Sequence, residues 1–423
     1  MPASLTARRN ALFLLFFLPG LTIASWVTRT PDVRDLVGAS TAEMGLILFG
    51  LSAGSMVGIL SSGALVSRRG TRPVMLAGTL SVALGAAVIG VGAALGSGPV
   101  VAAGLALFGL GMGGGEIALN VEGAEVERGL GRSTMPAMHG CFSLGTVVGA
   151  LAGMVLTAVG FPVLAHLAVV AVVVALALVP AIRVIPAGVG VRAAGGEAAG
   201  TAGPGTAGSG SPATVRRPVW RDTRLVMIGG VILALALAEG TANDWLPLVM
   251  VDGHGFDAAL GSAVYAAFAA AMTLGRFVGG RFVDRYGRAA VLAVSAVVGA
   301  VGLALVIFVD HQAVAGAAAV LWGLGASLGF PVALSAAGDT AAPGEDATAR
   351  VSLAATIGYV AFLVGPPALG FLGDHFGLRH ALILVLVLVA AATFLTPAAR
   401  TPGRGGPADP AADRPRERAD LPA

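Results

Sequence analysis

The chain has 423 residues, of which 56% are hydrophobic and 12% are charged, and its mean hydropathy is +0.87. Soluble proteins carry about 25% charged residues, so this composition excludes an ordinary water-soluble domain. The net charge of +3 comes from arginine alone, because the sequence contains no lysine; a Walker A ATPase and a lysine Schiff-base enzyme are therefore excluded. The single cysteine, Cys141, excludes an internal disulfide and any CxxC metal or redox motif.

Apolar segments long enough to cross about 30 Å of hydrocarbon as helices recur along the whole chain. They fall at approximately 11–27, 43–66, 74–94, 100–122, 135–157, 162–182, 224–248, 259–281, 289–309, 312–337, 350–372 and 379–397. The first follows Arg8 and Arg9, as in a secretory signal, but the many later spans favour an uncleaved helix. The sequence therefore predicts an all-α polytopic membrane protein with twelve transmembrane helices.

Two segments have a different composition. Residues 184–222 contain a stretch rich in Gly, Ala, Ser and Pro that cannot form a core, which is typical of a flexible linker. Residues 399–423 are rich in Pro, Arg and Asp and are predicted to be a disordered tail. Six spans lie on each side of the linker, so we predict one six-helix bundle at 1–183 and a second at 223–398.

An internal repeat supports this division. Trp26 corresponds to Trp245, and Gly70 to Gly287, at nearly the same offset along the chain. The Gly-Leu-Gly sequence that follows Phe108 recurs after Trp322 at a similar offset. The repeat predicts two parallel, pseudo-symmetric bundles with a substrate site between them, near the middle of the membrane.

The arginines predict the orientation of the spans. If the N-terminus is cytoplasmic, 22 of the 26 arginines fall in cytoplasmic segments and three fall outside, with Arg276 inside a span. Such an excess is the positive-inside pattern. It predicts that both termini are cytoplasmic and that the chain spans the cell membrane.

Polar residues interrupt two spans at the same spacing. Glu116 and Asn120 lie in the fourth span, and Glu239 and Asn243 in the seventh. Residues four apart share one face of a helix. An ionised group near the bilayer centre costs about 2.5–3.5 kcal/mol, so these groups are expected to face a cavity and to have a function.

A loop motif lies between the eighth and ninth spans. It reads GRFVDRYGR and has its fixed positions at Gly280, Asp284, Arg285, Gly287 and Arg288. This GxxxDRxGR loop resembles the cytoplasmic-loop signature of the major facilitator superfamily. The resemblance implies a gating role, through charges that stabilise the outward-facing state; a turn that only anchors the chain is the alternative.

The counterpart of this loop after the second span is degenerate. It keeps Arg68, Arg69 and Gly70 but has Ser67 where the family usually has aspartate. Twelve spans, the repeat and the loop extend the resemblance over nearly the whole chain. Residues 120–149 also resemble a bacterial group of permeases near the fucose:proton symporter branch. Symporters of that branch use carboxylates of helices one and four, but the first span here has no acid.

The family resemblance implies that the first, fourth, seventh and tenth spans line the cavity. Glu116 and Glu239 would then bind a proton, since a partly desolvated carboxylate binds one more readily than a carboxylate in water. The candidates for contact with the solute are Asn120, Asn243, Asp244, Trp245, Trp26 and Arg29. Membrane-interface anchoring is the alternative for Trp26 and Arg29, and a place at the outer interface is the alternative for Asp244.

Three acids close to the end of the fourth span are predicted to lie in a solvated helix end beside Arg128: Glu122, Glu125 and Glu127. His139 and His166 are interpreted as structural residues. Acids, histidines and the cysteine show no metal-ligand spacing, and the chain has no nucleotide or nucleic-acid motif. No metal and no cofactor are therefore expected.

The sequence thus predicts a monomeric, non-enzymatic secondary transporter that moves a small polar, sugar-like solute by alternating access, with proton symport. The expected partners are the solute, protons and the lipid bilayer, without nucleic acid. Two alternatives stay open: a drug or metabolite:proton antiporter, and a membrane sensor or scaffold that does not transport.

Overall fold

The computed structural model of the chain describes residues 4–131, 134–191, 219–341 and 347–400, and within these ranges it is helical and contains no strand. Its α-helices are α1 (Leu5–Val27), α2 (Thr30–Val37), α3 (Thr41–Arg69), α4 (Thr71–Ala94), α5 (Gly98–Leu130), α6 (Met135–Ala158), α7 (Val163–Val184), α8 (Thr223–His254), α9 (Ala258–Tyr286), α10 (Arg288–Phe308), α11 (Gln312–Ala326), α12 (Gly329–Gly338), α13 (Ala347–Phe376) and α14 (Leu378–Leu395).

Twelve of these segments are long and apolar enough to span a membrane, and each coincides with a predicted span. The tenth span consists of α11 and α12, which are separated at Ser327 and Leu328. The predicted fold class is confirmed. Most of the predicted linker, residues 192–218, and most of the predicted tail, residues 401–423, lie outside the described residues, so the domain boundaries stay predictions.

Local sequence signals set where several helices begin. Ser40 accepts a hydrogen bond from the backbone N–H of Glu43, and the Glu43 carboxylate accepts one from the N–H of Ser40, forming a capping box at the start of α3. The turns after α3 and α9 each contain a glycine at positive φ, Gly70 (83°) and Gly287 (79°). This conformation favours glycine, and its recurrence extends the internal repeat to backbone geometry.

The helices pack in the same pattern in both halves. In the first half α5 packs against α3 and α4, and in the second half α11 packs against α9 and α10. Likewise α1 contacts α6 and α7, as α8 contacts α13 and α14. The halves meet along two equivalent seams, α3 with α13 and α6 with α9. Six helices on each side with matching contacts form the predicted pair of pseudo-symmetric bundles.

The two halves are joined most tightly at one end of the molecule. We call the end where α1 begins and α14 ends the terminal end, and the opposite end the distal end. A Cβ atom on Gly45 would lie 2.9 Å from Cα of Gly370, so α3 and α13 touch backbone to backbone near the distal end.

Hydrogen bonds and an ion pair reinforce this closure. Among the described residues, those that connect the halves all lie in the distal half of the bundle: Thr28 with Ser262, Arg34 with Asp252, Ala42 with Asp374 and Ser52 with Phe362. Arg34 belongs to α2, a short helix between the first two spans that sequence analysis did not predict. The halves are therefore bonded together distally. In the terminal half they still touch at Gly140 of α6 and Phe277 of α9, but without a hydrogen bond or ion pair among the described residues. We infer from this difference that the space between the halves opens toward the terminal end.

The prediction that Glu122 lies in a solvated helix end is wrong. Its side chain is 0% exposed, and its oxygens accept hydrogen bonds from Arg8 Nη2 at 2.5 Å and from Thr71 Oγ1 at 2.7 Å. Glu127 accepts from the backbone N–H groups of Thr134 and Met135 at the start of α6. Glu122 thus joins α5 to α1 and α4, because partners on other helices replace the water that the sequence pattern suggested.

Replacing Glu122 by alanine is expected to destabilise the protein by about 3 kcal/mol. This is the lower end of the range for breaking a buried ion pair, because Arg8 stays 14% exposed. Thermal unfolding of the detergent-solubilised protein measures the effect. The matched control is Glu125→Ala, since the side chains of the Glu125–Arg128 pair are 42% and 73% exposed and such pairs contribute about 0–1 kcal/mol. Equal melting temperatures for the two variants would contradict the structural role of Glu122.

Candidate functional site

A charged cluster lies between the halves, at the middle of the spans. Glu116 and Arg276 each lie 18 residues beyond the distal start of their helices, α5 and α9, so they have similar depths, roughly 27 Å along the helix axes. Arg276 Nη2 donates to Glu239 Oε1 of α8 at 2.7 Å, and its Nε donates to the carbonyl oxygen of Ser327 at 3.3 Å. The break between α11 and α12 supplies that carbonyl group.

Glu116 faces this arginine from the other half. The residue is exposed, and it interacts electrostatically with Arg276 of α9 and with Tyr359 of α13, which both belong to the second half. An exposed residue that faces groups of the opposite half lines the space between the halves rather than the outer surface. The described residues form no hydrogen bond with its carboxylate. Glu116 and Glu239, which were predicted as separate proton sites, are thus connected electrostatically through one guanidinium group.

Two further residues of the first half lie near this cluster. Asn120, one helical turn from Glu116, is half-buried, and its Oδ1 atom is buried without a partner among the described residues. His139 of α6 is exposed, interacts electrostatically with Arg276 and packs edge-to-face on Phe16 with 5.0 Å between ring centroids. Sequence analysis interpreted His139 as structural, whereas the structure brings it to the cluster.

The remaining candidates of α8 are less accessible. Asn243 accepts a hydrogen bond from the hydroxyl group of Tyr265 at 3.2 Å. Asp244 is 9% exposed, and Trp245 is buried. Trp245 is 1% exposed, so its ring is not accessible for stacking on a solute in this conformation. Trp26, its counterpart in α1, is equally buried and makes no contact with the cavity.

Arg29 is neither a cavity residue nor an interface anchor, so both interpretations of this arginine are wrong. Arg29 is only 2% exposed. It donates to His166 Nδ1 at 3.0 Å, to Asp32 Oδ2 at 2.9 Å and to the carbonyl oxygen of Phe161 at 3.0 Å. These bonds attach the segment between α1 and α2 to α7 and to the turn before it. Arg29 stabilises the first half at the distal end.

The predicted gating residues occupy the terminal end. Asp284, Arg285, Arg68 and Arg69 are exposed, as is Gly280. Arg285 lies over the ring of Tyr286, 5.4 Å from its centroid, and Arg288 pairs with Asp339 of the same half. Gly70 approaches the chain at 188–189 in its own half. Among the described residues, neither loop forms a hydrogen bond or an ion pair with the opposite half, as expected for an open terminal end.

Sequence analysis missed Arg276, the residue that connects the cluster. The available signal was the same one that identified Glu116: a charged residue inside an apolar span is expensive and therefore functional by default. In the sequence, Arg276 stands out only as the arginine that lies inside a span and is therefore assigned to neither side of the membrane. Sequence spacing cannot show its pairing with Glu239, because the two residues belong to different helices.

The comparisons with known proteins agree with this architecture. The family model of the Major Facilitator Superfamily matches residues 12–352. The chain belongs to this superfamily. Its members are membrane transporters that work by alternating access, and they are not enzymes. The chain is accordingly a twelve-span membrane transporter for a small molecule.

Two relatives in sequence span nearly the whole chain. An uncharacterised MFS-type transporter of Yersinia pestis is 30% identical over 388 residues, which cover 90% of this chain and 94% of the relative. The membrane protein MosC of Rhizobium meliloti is 25% identical over 392 residues, which cover 91% of this chain and 89% of the relative.

Solved structures share the fold. A point mutant of the nucleoside transporter NupG has a TM-score of 0.72 at 13% identity, covering 93% of this chain and 99% of that one. A point mutant of the fucose:proton symporter FucP of E. coli has a TM-score of 0.56 at 15% identity, covering 93% of this chain and 98% of that one. These similarities concern the fold alone.

Proposed function

We propose that the protein is a proton-coupled symporter of a small, polar, uncharged solute. The observation that carries this proposal is Glu116, a cavity-lining carboxylate to which the described residues offer no hydrogen bond. Arg276 already donates to Glu239 at 2.7 Å, so the charges of these two residues balance within the second half. Glu116 is then the unbalanced anion of the site.

The charge balance gives the coupling rule. When the halves close around the cavity, an ionised Glu116 would lose water without gaining a hydrogen-bonded partner, which is costly. A proton on Glu116 removes that cost, and an uncharged solute can then occupy the cavity beside it. A carrier that closes with both the proton and the solute bound, but not with the solute alone, is a symporter.

The solute is expected to form many hydrogen bonds. Asn120, Asn243 and the Arg276–Glu239 pair offer donors and acceptors at the cavity, whereas both tryptophans of the repeat are buried. The nucleoside transporter and the fucose:proton symporter, which share the fold, carry solutes of this chemical type by their names. Nucleosides and sugars are thus the first probes to test.

The orientation belongs to the same proposal. With 22 of 26 arginines assigned to one side, the terminal end and both termini lie in the cytoplasm, and the protein is a monomer in the cell membrane. The conformation described above is then inward-open. The exposed GxxxDRxGR loop fits this assignment, since the proposed role of its charges is in the opposite, outward-facing state.

The direct test is transport by purified protein in liposomes that contain a pH-sensitive dye. A thermal-shift screen of nucleosides and sugars selects the solute. Adding that solute outside is expected to acidify the lumen, and an imposed gradient of one pH unit is expected to accumulate it about tenfold for one proton per solute. A proton ionophore should abolish accumulation. Alkalinisation of the lumen would show antiport, and stabilisation without any solute flux would show a sensor.

A further inference from the structure

Asp244 of α8 is a buried carboxylate that coupling through Glu116 does not use. It is 9% exposed, and the described residues give it no hydrogen bond and no ion pair. An ionised carboxylate in such a place costs free energy, whereas its protonated form does not carry that cost. A structural role would require a fixed partner, as Glu122 has in Arg8. Asp244 has none in the described part of the chain.

The surroundings of Asp244 contain further polar atoms with unused bonding capacity. Thr241 Oγ1 and Trp245 Nε1, on the same helix, are buried without a partner among the described residues. Tyr265 of α9 is buried too, and it interacts electrostatically with both Asp244 and Glu239. The hydroxyl group of this tyrosine donates a hydrogen bond to Asn243, the residue next to Asp244 in the chain.

The depths of the two carboxylates differ. Glu239 lies 15 residues and Asp244 ten residues before His254, the distal end of α8, which corresponds to about 22 and 15 Å. Helices α1 and α2 of the first half cover α8 on this side. Arg34 of α2 pairs with Asp252 near that end. Asp244 therefore lies between the cavity at the depth of Glu239 and the contacts that close the distal end.

We propose that Asp244 is a second proton-binding site, occluded in this conformation and opened to water when the halves separate at the distal end. Its place in a transport cycle rests on the proposed function; its proton binding does not. Deprotonated Asp244 gains water only if the distal end opens, so loss of the proton favours opening and its uptake favours closure.

Other titratable groups on the helices around α8 have different partners. Arg29, between α1 and α2, is bonded within the first half, Tyr359 of α13 interacts with Glu116, and Arg276 of α9 donates to Glu239. The remaining groups with such assigned partners are Arg34 with Asp252, Arg350 with Asp222, Asp374 with Ala42, Arg379 with Asp310, and Asp339 with Arg288. Asp244 is thus a buried carboxylate that none of these groups pairs with in the described chain.

The test measures the distance between two spin labels at the distal end as a function of pH. Leu36 of α2 and Leu260 of α9 are exposed and belong to opposite halves, so cysteines at these positions in a Cys141→Ser background report distal opening. Raising the pH is expected to increase the ratio of long to short distances by up to about tenfold per unit, the limit for one proton. Asp244→Asn is expected to keep the short distance throughout.

Two further variants complete the test. Asp257→Asn removes another carboxylate at the same end but keeps a good N-cap for α9. Its spin-label distances should therefore change with pH as they do in the labelled protein without this substitution, the parent. Tyr265→Phe should move the pH midpoint while keeping the transition. If Asp244→Asn does not fold, Asp244→Ser is measured instead. A parent-like pH response in an Asp244 variant overturns the proposal. Absence of proton-driven uptake by the wild type would overturn the proposed function but leave this response unaffected.

Discussion

Replacing Glu116 by glutamine is expected to abolish proton-driven accumulation while leaving exchange of labelled for unlabelled solute intact. Glutamine keeps the size and hydrogen-bonding capacity of the side chain but cannot take up and release a proton. The side chain at this position is therefore always neutral. Closure of the halves no longer requires a bound proton, so a proton gradient no longer drives net uptake. Under a gradient of one pH unit, the accumulation ratio should fall from about tenfold to about one.

The measurement compares two assays on the same liposomes. Net uptake under a pH gradient reports coupling, and counterflow exchange at equal pH reports binding and conformational change alone. Glu125→Gln is the matched control, because Glu125 lies on the same helix nine residues further on and forms only an exposed pair with Arg128. Undiminished accumulation by Glu116→Gln would remove this carboxylate from the coupling mechanism.

The fold could be predicted almost completely from the sequence. Spans in lipid must satisfy their backbone hydrogen bonds internally, so uninterrupted apolar length determines where the helices lie. Glycine periodicity and the arginine bias then indicate how the helices approach one another and which ends share a side. The short helix α2 was missed because it lies outside these rules: eight residues at a surface carry no span-length signal.

The site could be predicted only in part, because the sequence shows which charges are costly but not which charges meet. Glu116 and Glu239 were recognised by that cost, and the structure places both in electrostatic contact with Arg276. The same reasoning misplaced Arg29 and Glu122, whose partners His166 and Arg8 are 137 and 114 positions away along the chain. Pairing between distant helices decides whether a buried charge is structural or functional.

Replacing Arg276 by methionine is expected to abolish transport and to lower stability. The substitution leaves Glu239 half-enclosed without its 2.7 Å partner and removes the positive charge opposite Glu116. Breaking a buried pair costs about 3–5 kcal/mol, and we expect about 2 kcal/mol here because Arg276 is 31% exposed and solvent screens part of the interaction. Arg281→Met, on the same helix but exposed and outside the fixed positions of the loop motif, should change neither stability nor transport.

The double variant Arg276→Met/Glu239→Gln separates structure from function. Removing both charges leaves neither member of this pair as an unpaired ion, so stability should recover to within about 1 kcal/mol of the wild type, as measured by thermal unfolding. Transport should stay absent, because the site would keep Glu116 but lose the charges that orient the solute beside it. If stability and transport return together, the pair serves only to hold α8 to α9. If stability alone returns, the pair belongs to the transport site.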